Sequence, residues 1–316
     1  MLDKLKQKYN LEFKANEPLA PYTTFKIGGP AKYFVEVKNK DELKAALQAA
    51  TENQLKFFML GGGSNILISD DGFDGLVIRS IPGECQFDGE AAVCFAGNNW
   101  PQFVQSTIKN GLEGLEFSGN IPGTVGGAVR GNAGAYGQGV GDFVTKVMAV
   151  DLSHGGEFKE LTYDDCQFEY RESLFKKNLD LMIAEVTFKL KPATKNQAEL
   201  LKQVHEEGQT RCAKQPLKYP SAGCSFKNVI YTDELSQYKD WETHGKLPAA
   251  RFIESAGLKG KQIGGAKISD EHTNFIINVD HASASDVVQL ISLVKMKVRD
   301  EYGVQLEEEV QYVGFN

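Results

Sequence analysis

Ser118-Gly-Asn-Ile-Pro-Gly-Thr-Val-Gly-Gly-Ala-Val-Arg-Gly-Asn-Ala-Gly-Ala-Tyr-Gly-Gln-Gly-Val-Gly141 is the stretch on which the reading of this chain turns. Glycines recur through it every three or four residues, with few charges among them. An ordinary turn needs one or two glycines. A run this dense is expected to form neither a stable helix nor a regular strand interior, because each glycine costs backbone entropy and leaves no side chain to pack. It offers bare main chain, whose donors and acceptors can wrap a large planar ligand closely. A mobile loop would carry more Ser, Asp and Lys, so the run reads as a ligand cradle.

A second glycine cluster, Gly61-Gly62-Gly63-Ser64-Asn65, follows directly on the apolar strand Phe57-Phe-Met-Leu60. Successive N–H groups at such a point can form an anion nest for a pyrophosphate. The cluster is neither GxGxxG nor a P-loop. Taken alone, it reads equally well as a tight strand-to-strand turn.

Around these two clusters the chain alternates strands and helices. Ala31–Val37 alternates like a half-buried strand, and Asp41 is the expected cap of a helix over Glu42–Glu52. With Phe57–Leu60 and Gly75–Arg79 this gives a βαβ-like first domain. A strand at Ala91–Gly97 and a helix at Trp100–Asn110 precede the glycine run. Strands near Phe143–Leu152 and Asp180–Leu190 and a helix over Gln197–Ala213 follow it. After Gln215-Pro-Leu-Lys-Tyr-Pro220 come helices at Leu247–Ala256 and Ala284–Tyr302, a strand at Asn274–Val279 and a tail strand at Val304–Val313. The expected class is α+β in three domains, spanning residues 1–80, 81–213 together with 305–316, and 214–304.

The 316 residues give material for two or three buried cores. Glycine, at 32 residues, is roughly half again its usual share of about 7%. A net charge of −7 and a pI near 5.4 argue against a nucleic-acid binder that relies on a broad basic surface. Neither the N-terminal segment nor any other apolar run has the length of a signal peptide core or a membrane span. Five cysteines without CxxC spacing suit reduced thiols in a cytoplasm. His154, His205, His244, His272 and His281 show no metal-ligand spacing, so no metal is expected, and His272 reads as structural.

Seven motifs in order carry a resemblance: Thr24–Pro30, Gly61–Asn65, Ser118–Gly127, Gly131–Gly137, Tyr170-Arg-Glu-Ser173, Ser221-Ala-Gly-Cys-Ser-Phe-Lys-Asn228 and Leu306-Glu-Glu-Glu-Val310. From about residue 20 to the C-terminus the chain resembles the UDP-N-acetylenolpyruvoylglucosamine reductase family. The resemblance implies a vanillyl-alcohol-oxidase-type (PCMH-type) FAD-binding unit of two domains and a third, α+β substrate domain. It implies NADPH-dependent reduction, through FAD, of an enolpyruvyl ether of UDP-N-acetylglucosamine to UDP-N-acetylmuramate for bacterial peptidoglycan. Small molecules would be its partners and the protein would be a monomer. With no long insertion between Arg171 and Cys224, the chain is similar to the shorter, type II members.

By motif position, FAD would be held by Gly61, Gly62, Gly63, Ser64 and Asn65; by Ser118, Gly119, Ile121, Pro122, Gly123, Thr124, Gly126 and Gly127; and by Asn132, Gly134, Ala135 and Tyr136. Ser64-Asn65 stand where some flavoproteins of the superfamily carry a histidine that attaches the cofactor, so non-covalent FAD is implied. Arg171 and Glu309 resemble the pair that stabilises the anion formed by hydride addition. Arg suits that task through its planar two-point fork. Glu309 would have to be protonated, or share its charge with Arg171. The proton donor falls at Cys224, where the family usually has serine; a free thiol, of ordinary pKa near 8.5, is the stronger acid. Ser225 is the alternative donor. Tyr170, Lys214, Lys227 and Asn228 are candidates for binding substrate. Another FAD oxidoreductase of the superfamily and a non-catalytic nucleotide-sugar binder are the competing readings.

Overall fold

The computed structural model describes residues 2–135 and 137–315. Tyr136, expected at the cofactor, lies outside the described residues. The chain divides into two compact units, each interrupted in sequence. The first comprises Met1–Glu17, Ala31–Gly62 and Asp74–Thr210, the second Pro18–Pro30, Gly63–Phe73 and Arg211–Asn316.

The first unit holds two larger sheets and, among the described residues, two two-stranded ones. In the four-stranded sheet, the strands run in the order Phe13–Pro18, Pro30–Val37, Phe73–Ser80, Phe57–Leu60, the last two parallel. Ala31, Val35 and Val37 are buried on one face, as the alternation of that strand predicts, and Phe34 is buried on the other. A helix, Lys40–Glu52, covers the sheet with Leu43, Ala46, Leu47 and Ala50, which recur at helical spacing. Its cap is Asn39, two residues ahead of the expected Asp41: the extended backbone at Asn39 lets its side chain accept from Glu42 N–H at 2.8 Å.

The larger sheet is antiparallel, in the order Glu157–Thr162, Val144–Asp151, Leu181–Lys189, Ala91–Phe95, Cys85–Asp88. Trp100 and Phe103, on the helix Trp100–Lys109, pack against Phe188 with ring centroids 5.8 and 5.0 Å apart. Burying each such ring contributes on the order of 2 kcal/mol. Cys85 and Cys94 stand opposite each other in the edge hairpin, their Cα atoms 4.2 Å apart, and form a disulfide. This corrects the expectation of reduced thiols throughout. The pairing is set by strand register, which cysteine spacing does not reveal. Cys166 is buried, and burial pushes its thiol up to about 12.

The glycine run departs from expectation at one point: Val125–Arg130 is a helix. Thr124 caps it, accepting from Gly127 N–H at 3.2 Å, while Val125, Ala128 and Val129 turn inward and supply the burial that glycine lacks. Packing overrides propensity here.

In the second unit an antiparallel sheet runs Ser221–Cys224, Phe275–Asn278, Ala266–Ile268, Gln262–Ile263. The helices Ala249–Ser255 and Ala284–Tyr302 share a core that takes in Phe25, Ile27 and Leu67 from far upstream. The longer helix is doubly capped. Ser283 and Asp286 form a capping box, and the Asp70 carboxylate accepts from Ala284 and Ser285 N–H at 2.9 and 3.3 Å. The expected tail strand is confined to Gln311–Val313, parallel to Ile66–Ile68; upstream of it Glu308 makes only an isolated bridge to Phe226.

Gly72 shows how tightly this unit is closed. Its φ is +81°, and a Cβ there would lie 1.9 Å from the Pro30 carbonyl oxygen. Gly257, at φ +68°, has nothing within 4 Å of such an atom. Gly72→Ala is expected to lower the unfolding free energy by more than about 2 kcal/mol, against about 1 kcal/mol for Gly257→Ala, which incurs backbone strain alone. Urea midpoints of the two variants test this; an equal or smaller loss at Gly72 contradicts it.

Candidate functional site

Within the first unit, main chain meets main chain where the two glycine clusters touch. A Cβ on Gly62 would lie 2.7 Å from Gly123 Cα, and one on Gly61 would lie 2.6 Å from Thr124 Oγ1. Gly119 and Gly126 are equally constrained, the first by Val204 at 2.7 Å and the second by Ala96 at 2.8 Å. Asn120 donates from Nδ2 to the Val204 carbonyl at 2.6 Å, fastening this segment to the helix Gln197–Cys212. Ser118 is fully buried, its hydroxyl donating to Leu115 O while its own carbonyl accepts from Trp100 Nε1.

Packing does not account for every glycine. A Cβ at Gly127 or Gly131 would meet nothing closer than 3.3 and 3.4 Å, and Gly127 is exposed. Glycine at these two positions leaves a bare strip of backbone that a side chain would fill. That is the surface a flavin nucleotide lying on main chain requires, and the residues present fit such a group.

The distal half of the run holds the Arg171 turn. Asn132, itself at φ +39°, accepts from Gly141 N–H at 2.9 Å and donates to Glu169 O at 2.8 Å. Arg171 Nη2 donates to Gly134 O at 3.1 Å, and Lys176 Nζ to Arg171 O at 2.6 Å. The Arg171 backbone sits at φ +57°, a left-handed conformation that a non-glycine residue adopts only where its surroundings impose it. Its guanidinium lies 5.5 Å from the Tyr170 ring centroid. Arg130, which the sequence reading passed over, is held below the usual guanidinium pKa by burial, with Glu172 opposing the shift. Ser173 donates its hydroxyl to the Arg130 carbonyl at 2.6 Å.

Within the second unit, Cys224 and Glu309 lie on neighbouring strips of chain. Cys224 is half-buried and pairs in register with Phe275; Ser225 is buried, 7% exposed. Glu309 N–H donates to Ser225 O at 2.8 Å, and Asn65 Nδ2 donates to Glu309 O at 3.0 Å. Asn65, expected at the cofactor, thus spends its side-chain amide on the Glu309 backbone. Glu307 and Glu308 pair with Lys227 at 3.3 Å and Lys295 at 2.9 Å. The Asn228 side-chain oxygen accepts from Ala249 N–H at 3.1 Å, at the start of a helix, and Lys214 is exposed. Gly63 belongs to this unit: at φ +61°, a Cβ would lie 2.2 Å from Tyr22 O. Thr24 meets Gly63 O through its N–H at 3.1 Å and Ser221 O through its hydroxyl at 2.6 Å.

Two residues of this cluster carried little sequence signal. Asn274 is 3% exposed, and its only mark in the sequence is a polar residue at the head of an apolar strand. His272 accepts at Nδ1 from Asn274 N–H at 3.3 Å and lies edge-on to Phe275, ring centroids 5.0 Å apart.

Comparison with known proteins follows the same two halves. Residues 31–161 match the model of an FAD binding domain, and residues 215–313 that of the UDP-N-acetylenolpyruvoylglucosamine reductase C-terminal domain. The reductase of that name from Bacillus subtilis is 36% identical, over 100% of this chain and 99% of its own. That from Carboxydothermus hydrogenoformans is 39% identical, over 95% and 93%. The crystal structure of the Thermus caldophilus reductase is similar with a TM-score of 0.74 and 34% identity, covering 96% of this chain and 98% of that one.

Burial holds the His272 imidazole below its ordinary pKa of 6.5. As pH falls the unfolded chain therefore binds this proton first, so stability present above about 6.5 is lost as pH drops through the folded value. His272→Gln is expected to flatten the fall in melting temperature between about pH 7.5 and about pH 5. Parallel slopes for the variant and the native protein would show that His272 does not contribute.

Proposed function

The chain belongs to the UDP-N-acetylenolpyruvoylglucosamine reductase family, and from that membership we propose which of its residues carry the reaction. The enzyme reduces UDP-N-acetylglucosamine enolpyruvate to UDP-N-acetylmuramate, a precursor of bacterial peptidoglycan, with NADPH as reductant and FAD as cofactor. A bound FAD would supply the hydride-carrying chemistry that links NADPH to C3 of the enolpyruvyl ether.

Negative charge then builds at C2 and spreads into the attached carboxylate. A fixed cation facing such charge typically supplies a factor of about 10² to 10³ in rate. Arg171 takes that role, its fork oriented by Gly134 O and its backbone held by Lys176. Glu309 assists at the same anion. Cys224 gives the proton to C2. The half-buried thiol beside a buried Ser225 favours Cys224 over its neighbour as donor, and this observation carries the assignment. Tyr170, Lys214, Lys227 and Asn228 bind the substrate, with the lysines meeting the diphosphate. The main chain at Gly61–Gly63, Gly123–Gly127 and Gly134–Ala135 would hold the flavin nucleotide, with Ser64, Asn65, Ile121, Pro122 and Asn132 as further contacts.

Functionally the chain divides in three: residues 1–80 and 81–213 with 305–316 for FAD, and 214–304 for substrate. The two larger, separate sheets of the first unit support distinct FAD-binding parts. The enzyme acts as a monomer in the cytoplasm, where the chemistry of UDP-sugars and NADPH belongs. Among the described residues no helix is long and apolar enough to cross a membrane.

Cys224→Ala is expected to retain yellow colour and bleaching by NADPH. Recovery of the colour on adding the enolpyruvyl substrate should slow by about 10² or more. Cys224→Ser should keep substantial activity, since a hydroxyl at the same site still donates. Stopped-flow absorbance separates the two half-reactions; native recovery in Cys224→Ala rules out the thiol as donor.

A further inference from the structure

The sheet of the second unit loses its regular ladder at Cys224. Cys224 pairs with Phe275, the register is already irregular between Ser221 and Cys224, and the next residues leave the strand. At that point a side chain takes over from main chain. Asn274 Oδ1 accepts from Phe226 N–H at 2.9 Å, and its Nδ2 donates to Phe226 O at 2.8 Å. The two bonds reproduce what a neighbouring strand would offer, one donor and one acceptor side by side. The Asn274 carbonyl accepts from Ser225 N–H at 2.7 Å, so the peptide after Cys224 is held as well.

The chain of bonds continues to the other proposed reactive group. Ser225 O accepts from Glu309 N–H at 2.8 Å, Phe226 bridges Glu308, and Asn65 holds the Glu309 carbonyl. Asn274 therefore fixes Ser225 and Phe226, which in turn fix Cys224 on one side and Glu309 on the other. At 3% exposure it is out of reach of bulk water, and its amide is satisfied on both faces. A buried polar group in this position costs free energy unless paired, and here both bonds go to Phe226, two residues past Cys224 and bridged in turn to Glu308.

We propose that Asn274 is a positioning residue for the reaction: it sets the relative placement of Cys224 and Glu309 without touching substrate. The inference rests on the assignment of those two residues above. Misplacement by an ångström at such a site costs on the order of 10²-fold in rate. A residue that only braces the fold would lower stability and leave turnover of the folded enzyme unchanged.

The test uses the FAD-loaded full chain as Asn274→Ala, Asn274→Asp and Cys224→Ala. Turnover is compared with the melting temperature and with the rate at which iodoacetamide alkylates Cys224, followed by peptide mass mapping. For Asn274→Ala we expect kcat to fall about 10- to 100-fold, KM for the enolpyruvyl substrate to stay within about threefold, and Cys224 alkylation to change by about threefold or more. Asn274→Asp keeps the acceptor for Phe226 N–H but loses the donor to Phe226 O, and should lie between alanine and native. It also serves if the alanine variant does not fold. Turnover within about twofold of native in a folded Asn274 variant, with Cys224→Ala slow, overturns the positioning role and leaves the Cys224 assignment standing. Native turnover in Cys224→Ala overturns that assignment, and the positioning role with it.

Discussion

Main chain packed on main chain, with no Cβ between, is the constraint on which the rest of this structure depends. Gly62 against the Gly123 backbone, with Gly61 against the Thr124 side chain beside it, brings the two glycine clusters together within the first unit. Gly63 against Tyr22 begins the second unit with the same device. Any side chain at these points would push the backbone apart by an ångström or more. The glycines carry an entropic cost of roughly 0.5 to 1 kcal/mol each in regular structure, which the close packing they permit offsets. Gly127 and Gly131 belong to a second class, glycines where a Cβ would meet its nearest neighbour at 3.3 and 3.4 Å, so that packing constrains them far less. The distinction matters chemically: the first class builds the wall and the second bares it.

Side-chain amides hold what glycine sets loose. Asn132 clasps the end of the glycine run to the Arg171 turn, Asn65 takes the Glu309 carbonyl, and Asn274 extends a sheet past its last pair. An amide carries donor and acceptor on one rigid plane, so it replaces a missing strand without introducing charge. For the proposed chemistry such neutrality is useful, because an amide adds no charge beside the residues proposed to meet the anion.

The sequence made the strands and helices of both units readable, because apolar spacing at Leu43, Ala46, Leu47 and Ala50, or at Val287, Leu290, Ile291 and Val294, is a local property. It also carried the family, through long motifs, and with it the residues proposed here as reactive. Three things escaped it, each because the deciding interaction is distant in sequence. The helix Val125–Arg130 forms amid glycines since a core residue can repay a poor propensity, and the core is invisible along the chain. Cys85 and Cys94 pair through strand register. Asn274 reads as an ordinary polar residue until Phe226 stands opposite it.

The interrupted make-up of the second unit has a consequence for how the protein is born. Phe25, Ile27 and Leu67 share a core with Leu290 and Leu306, and Thr24 bonds to Ser221 across 197 residues, Asn65 to Glu309 across 244. On a ribosome that releases the N-terminus first, these early segments have no partners until the chain beyond Arg211 has been made. Loop closure over such spans is slow, and apolar residues kept waiting are open to wrong associations. The first unit has most of its chain in hand by Thr210 and can condense earlier. The nascent second unit would thus wait half-folded while the first condenses, and the strip that carries Glu309 would be fastened after the segments it joins.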